Sequence, residues 1–181
     1  MSNIKPLNIE NAPEASRPLL EAVNAKMGKI PNLLGNLAHS PAALQSYLSL
    51  AETLGGGLFS GQELELVALA VGEANNCDYC LAAHTMIGGM QGLDSDTILA
   101  ARNGQSSDPK LAQLIRLSAE ITVTRGNPEA ASVTAFLGAG WTEGHLMELI
   151  AVVALNTLTN YANHIAKTEV DFPAAPKLQS A

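Results

Sequence analysis

Cys77, Cys80 and His84 form a Cys-x-x-Cys-x-x-x-His run within a 181-residue chain that has two cysteines in all. On a helix turning about 100° per residue, these three positions fall within roughly 60° of one another and share a stripe. Cys80 and His84 are four apart, the spacing of direct side-chain neighbours, whereas Cys77 lies two turns from His84. A thiol activated by His84 is therefore Cys80. Asn75 and Asn76 stop the preceding helix, so the cysteines fall at the start of the next one. Unsatisfied N–H groups in a first helical turn favour thiolate over thiol, and the thiolate is the reactive form. A second cysteine can close a disulfide onto an oxidised first one, giving a pair that cycles between dithiol and disulfide.

Two acids are within reach of this stripe. Glu65 sits among Leu64, Leu66, Val67 and Leu69, and a carboxylate in apolar surroundings needs a partner or a proton. If the two helices pack antiparallel, Glu65 is 11 residues before Asn76 and His84 is 8 after it. Those separations are roughly 16 and 12 Å from the corner, so the two side chains can face each other. Glu73, nearer the corner and opposite the cysteines, is the second candidate for a relay acid. A zinc site would need a fourth ligand beyond Cys77, Cys80 and His84. Covalent haem attachment is disfavoured because Leu81 stands where a His is required. His39, His145 and His164 have no supporting pattern and read as structural, and Tyr79 reads as packing or site lining.

The elements that must hold these residues are helical. Aromatics are 4% of the chain and hydrophobic residues 47%, largely Ala and Leu, which favours packed helices over a β-sandwich or barrel. No stretch alternates with period two. Ser60 with Glu63 is a capping-box pattern, and the residues after it are apolar on every side, as in a helix buried all round. A second helix runs from about Cys77 to Met90, Asp94 caps a short one, Asp108-Pro109 opens a long one, and Thr142 opens the last, reaching about Glu169. Gly55, Gly56 and Gly57 are expected to end an earlier helix in a mobile corner. Residues 1–58 are expected to form a helical extension packed on a core spanning 59–170, with a loose tail over 171–181. One internal echo stands out. Residues 64–71 resemble residues 147–154 at an offset of 83, which sets Glu65 on Glu148, Cys77 on Asn160 and Cys80 on Asn163. Two related helical hairpins, one with thiols and one with amides, are the expectation.

Ten Lys+Arg against 17 Asp+Glu give a net charge of −7, which argues against nucleic-acid binding. The first ten residues lack a signal-peptide pattern. The late apolar stretch 149–166 carries Asn156, Thr159, Asn160, Asn163 and His164, which speaks against a membrane span. A cytoplasmic chain is expected, and there a two-cysteine pair reads as redox or metal chemistry.

Glu65-x11-Cys77-x2-Cys80-x3-His84 within an Ala-rich helical pair resembles the carboxymuconolactone decarboxylase superfamily, in its alkylhydroperoxidase D (AhpD)-like branch. The resemblance is strongest from Ser60 to Gly92. It implies an all-α bundle of helical hairpins assembled as a homo-oligomer, a trimer or hexamer. It implies a peroxidase or disulfide reductase working on hydroperoxides without haem, flavin or other cofactor, with Cys80 as peroxidatic thiol, Cys77 as resolving thiol, and Glu65 and His84 as proton relay. Some relatives draw electrons from a lipoyl-bearing protein, so an external dithiol or lipoyl-type reductant is the implied partner. Branch members carry a His just before the second Cys, where this chain has Tyr79. Members that decarboxylate a lactone generally lack the cysteine pair. A carbon-acid enzyme of that kind, and a non-enzymatic redox or zinc module, are the alternative expectations.

Overall fold

The computed structural model describes residues 2–178. Met1 and the last three residues of the expected tail, 179–181, lie outside the described residues. Within them the chain is all-α: nine α-helices and no strand. A 3₁₀ turn at Glu14–Ser16 leads into α1 (Arg17–Met27). There follow α2 (Asn32–Leu37), α3 (Pro41–Gly55), α4 (Gly61–Ala74), α5 (Asp78–Met90), α6 (Ser95–Arg102), α7 (Pro109–Val123), α8 (Ala130–Gly138) and α9 (Glu143–Ala166).

The helix starts are set by short polar side chains. Ser60 and Glu63 close the expected capping box on α4, with Ser60 N–H donating to Glu63 at 2.7 Å and Glu63 N–H to Ser60 Oγ at 3.3 Å. Asp94 caps α6 and Asp108 caps α7, with Pro109 in its first turn. Each such cap is worth about 1 kcal/mol. At α9 the box is built differently: Thr142 caps, and His145 stands where a Glu is usual. His145 also packs edge-on against Phe59 and Trp141, which gives it a structural role.

Helix α4 is the central element. Seven consecutive residues, Leu66 to Gly72, are buried, because α5, α6, α7 and α9 all pack around it. Val67 and Val71 face a cluster with Leu114, Phe136, Trp141 and Leu149. Leu66 and Leu69 face another with Leu81, Ile98 and Ile115. Each fully buried Leu or Val contributes about 1.5–3 kcal/mol, so this helix anchors whatever it carries. A third cluster joins Leu20, Leu34 and Leu44 of the first helices to Cys77, Tyr79 and Cys80. Residues N-terminal to α4 thus form one wall around the cysteines.

Three expectations change. The glycine corner is pinned: Glu148 accepts hydrogen bonds from Leu58 N–H at 2.7 Å and Phe59 N–H at 3.3 Å, and a Cβ at Gly57 would collide with its carboxylate. The second hairpin is absent: the offset of 83 sets Asn75 and Asn76 on Leu158 and Thr159, which lie inside the unbroken α9. The last helix ends at Ala166, where Lys167 turns into the left-handed region at φ 47°.

After that turn the chain crosses back past the α1–α2 connection and on to the end of α6. Asn32 donates to Glu169 O at 2.9 Å, Lys29 pairs with Asp171 at 3.2 Å, and buried Arg102 donates to Pro176 O at 2.6 Å. Among the described residues, no helix is long and apolar enough to cross a membrane.

Candidate functional site

The corner between α4 and α5 makes the site. Asn76 adopts φ 54°, and Cys77 N–H reaches back to Gly72 O at 2.9 Å, a left-handed helix end. Cys77 is then the N-cap of α5, its sulfur accepting from Cys80 N–H at 3.3 Å. Because α5 turns back along α4, the sequence separation between Glu65 and His84 becomes contact. His84 Nδ1 and Glu65 Oε2 lie 2.8 Å apart. Their side chains are 23% and 13% exposed. Burial alone would lower the His84 pKa, but the charge and hydrogen bond of Glu65 outweigh it and the net shift is upward.

Glu73 does not join them. It pairs with Arg102 Nε at 2.8 Å, so its charge is spent on a buried guanidinium. Cys77 and Cys80 are joined as a disulfide, and both are almost fully buried, at 1% and 3% exposure. Tyr79 stands beside them with its hydroxyl donating to Asp171 at 2.7 Å and accepting from Leu33 N–H at 3.2 Å. Burial, reinforced by the Asp171 carboxylate, pushes its pKa upward despite the Leu33 bond, so it is a fixed neutral phenol.

Sequence reasoning missed the far side of the disulfide. Asn160 Nδ2 donates to Cys80 Sγ at 2.9 Å, and Asn163 Nδ2 to the same sulfur at 3.3 Å. Asn75 donates to Asn160 Oδ1 at 2.7 Å, which fixes the amide with its N–H groups toward the sulfur. Asn163 Oδ1 is buried and has no hydrogen-bond partner among the described residues. The signal was present in α9: Asn156, Thr159, Asn160 and Asn163 recur at helical spacing and are all buried. Asn156 and Thr159 are satisfied by carbonyls of α9 itself, Val152 O and Asn156 O, and Asn160 and Asn163 by the sulfur opposite.

A cavity of about 260 Å³ opens onto Cys80, His84 and Glu65. Its walls come from α1 to α5, α9 and the segment after α9, with Tyr47, Ala51, Leu64, Ile87, Leu155 and Phe172 making it largely apolar. Tyr47 is held as the neutral phenol by burial and by the nearby charge of Glu65. The arrangement thus offers a sulfur with two amide donors, an imidazole one turn away on the same helix, and a carboxylate holding that imidazole.

The carboxymuconolactone decarboxylase family model matches residues 41–108, which carry α3 to α6 and with them Glu65, Cys77, Cys80 and His84. Solved structures share the fold over nearly the whole chain. An uncharacterized peroxidase-related protein from Ralstonia eutropha JMP134, described as an alkylhydroperoxidase AhpD core, is 19% identical with a TM-score of 0.82, covering 94% of each chain. A peroxidase-related protein from Silicibacter sp. TM1040 is 19% identical with a TM-score of 0.79, covering 92% of each. The debrominase Bmp8, solved in complex with 2,3,4-tribromopyrrole as a Cys-to-Ala variant, is 15% identical with a TM-score of 0.80. That match covers 94% of this chain and 92% of Bmp8. No protein of curated function matches the chain in sequence. The family model and the AhpD-type fold bear out the resemblance read from the cysteine–histidine motif.

Proposed function

We propose that this chain is a cysteine-based oxidoreductase that reduces hydroperoxides through a Cys77–Cys80 dithiol/disulfide cycle. The observation that carries the reading is one cavity bordered by Cys80, His84 and Glu65, with the last two 2.8 Å apart and Cys80 already bonded to Cys77. In the reduced chain, His84 takes the Cys80 proton, and Glu65 holds the resulting imidazolium. The Cys80 thiolate attacks the hydroperoxide, forming an S–O bond and breaking O–O. The leaving alkoxide takes the proton from His84 and departs as an alcohol. Cys77 then attacks the sulfenic acid on Cys80, the disulfide forms, and water leaves. An external dithiol supplies two electrons to restore both thiols.

The decisive experiment is peroxide consumption with a panel of dithiols, on wild type and Cys80→Ser. Loss of the nucleophile is expected to lower the rate more than about 10³-fold. Full peroxide turnover in Cys80→Ser would overturn this reading, whereas a carbon-acid enzyme using the same cavity would consume no peroxide and would keep its own activity with both cysteines replaced by Ser. A stable disulfide or bound zinc without turnover points to a non-enzymatic module. Brominated pyrroles belong in the same panel, because a debrominase with this fold was solved with 2,3,4-tribromopyrrole bound.

We further propose that copies of the chain assemble through α9. Met147, Ile150, Leu158, Tyr161 and Ile165 are exposed along it, and with exposed Ala154 between Ile150 and Leu158 they follow the three- and four-residue steps of a helix-packing seam. Light scattering at micromolar concentration should give a multiple of the chain mass, and a mass of 18.8 kDa would defeat this assembly.

A further inference from the structure

The disulfide is a partition between two openings of different character. Cys80 borders the apolar cavity and Cys77 does not. Cys77 instead borders a groove of about 330 Å³ on the other side, which Cys80 does not reach. That groove lies between the start of α5 and the end of α9, with Asp78, Asn163, His164, Lys167 and Val170 around it. Among the described residues, only Tyr79 and Asn163 belong to both walls.

We propose that the two half-reactions use opposite faces of the disulfide: the oxidant meets Cys80 in the apolar cavity, and a narrow polar thiol reductant meets Cys77 in the groove. This rests on the dithiol/disulfide cycle proposed above. The chemistry of exchange supports it. An incoming thiolate bonds to one sulfur and expels the other, and the better-stabilised thiolate leaves faster. Cys80 Sγ receives two side-chain N–H groups, at 2.9 and 3.3 Å. Cys77 Sγ receives one backbone N–H at 3.3 Å, with Asn163 Nδ2 at 4.0 Å. Cys80 is therefore the leaving group and Cys77 the sulfur attacked.

The balance is complete. One thiolate of the reductant bonds to Cys77, the S–S bond breaks, and its electron pair leaves on Cys80. The second thiolate of the reductant attacks its own sulfur in the mixed disulfide, and Cys77 leaves and is protonated. The reductant departs as a disulfide having lost two protons, one taken by Cys77 and one by His84. With Cys77 1% exposed, a slender reductant fits where a folded surface does not.

The test maps the first adduct. Oxidised protein is mixed with the monothiol 2-mercaptoethanol, quenched in acid within milliseconds, digested, and analysed by mass spectrometry. The expected adduct is on Cys77. An adduct on Cys80, or an equal split, overturns the proposal. Two cavity-filling variants give a second readout. Val170→Trp should slow reduction by dithiothreitol about tenfold and leave the reduced protein's reaction with peroxide within twofold. Ala51→Trp should do the reverse. Both variants slowing the same half-reaction overturns two-sided access. A third arm uses Asn160→Leu, or Asn75→Ala should that variant fail to fold. Either should lower Cys80 alkylation at neutral pH about tenfold in a Cys77→Ser background, and an unchanged rate removes the leaving-group argument. The adduct map involves no peroxide, so absence of peroxide turnover would remove the proposed function and leave this result readable.

Discussion

Residues 64–71 and 147–154 carry nearly the same pattern of Leu, Ala, Val and one Glu, yet only the first supports a site. After Leu64–Val71 the chain breaks at Asn76 and α5 folds back, so Glu65 meets His84 at 2.8 Å. After Met147–Ala154 the helix continues to Ala166. The counterpart of His84 at the same offset is Lys167, which 19 residues of continuous helix would carry about 28 Å from Glu148. Glu148 instead fixes the corner at Leu58 and Phe59. The glutamates are alike, and the break decides what each one does. The two regions still meet, because the amides of Asn160 and Asn163 both lie against Cys80 Sγ.

The largest expected effect separates the glutamates. Glu65→Gln keeps the shape and removes the charge that holds the imidazolium, and loss of an acid–base partner costs about 10²–10⁴-fold in rate. Glu148→Gln should leave the reaction of Cys80 with peroxide within a few-fold. Glu73→Gln should act on stability, by about 1–2 kcal/mol, because it leaves the buried Arg102 without its carboxylate. Stopped-flow rates and thermal unfolding on all three give the comparison. If Glu73→Gln is the slowest while folded, the relay belongs to Glu73 and the contrast with Glu148 loses its meaning.

A smaller effect follows from pH. The folded pKa of His84 lies above the ordinary imidazole value because Glu65 outweighs burial. The pair's contribution to stability is therefore full below about pH 6.5 and lost as pH rises through the raised folded value. The pair is partly exposed, so the contribution is about 1 kcal/mol. Urea unfolding should show wild type exceeding Glu65→Gln by this amount at pH 6, with the gap closing at high pH. A gap that widens with pH would mean that Glu65 holds a neutral ring, and the relay would need a different proton inventory.

Much of this site is legible in the sequence because its parts are local. The capping box at Ser60, the stop at Asn75-Asn76 and the Cys–Cys–His stripe follow from neighbours within a turn or two. The Glu65–His84 contact follows from comparable distances to one corner. The apolar neighbours of Glu65 favour it over Glu73 in the sequence, but the Arg102 that occupies Glu73 approaches from a different helix and is invisible to local spacing. The amides of α9 escaped for the same reason. Their polarity is apparent in the chain, but their partner lies 80 or more residues away. The offset of 83 captured a similarity of sequence and misread it as a similarity of shape, because an apolar helix pattern does not encode where the helix ends.

The finest test concerns that ending itself. Asn76 holds φ 54°, and its N–H reaches Glu73 O at 3.0 Å, while Cys77 N–H returns to Gly72 O at 2.9 Å. His164 Nε2 also lies 3.3 Å from Asn76 O, tying the corner to α9. An L-residue other than Gly, Asn or Asp costs roughly 1–2 kcal/mol in the left-handed region, since its Cβ crowds the following carbonyl. Asn76→Gly should thus be neutral or slightly stabilising, and Asn76→Ala should lose about 1 kcal/mol relative to it in urea unfolding. Neither substitution touches sulfur or imidazole, so the rate of Cys80 with peroxide should stay within twofold in both. If Ala is as stable as Gly, left-handed strain is not what selects Asn here, and the stop must be set by the Cys77 cap. If the Ala variant is slow though folded, the corner does more than turn the chain: it sets the register in which His84 meets Glu65, and shifting that register by a fraction of a turn is enough to part them.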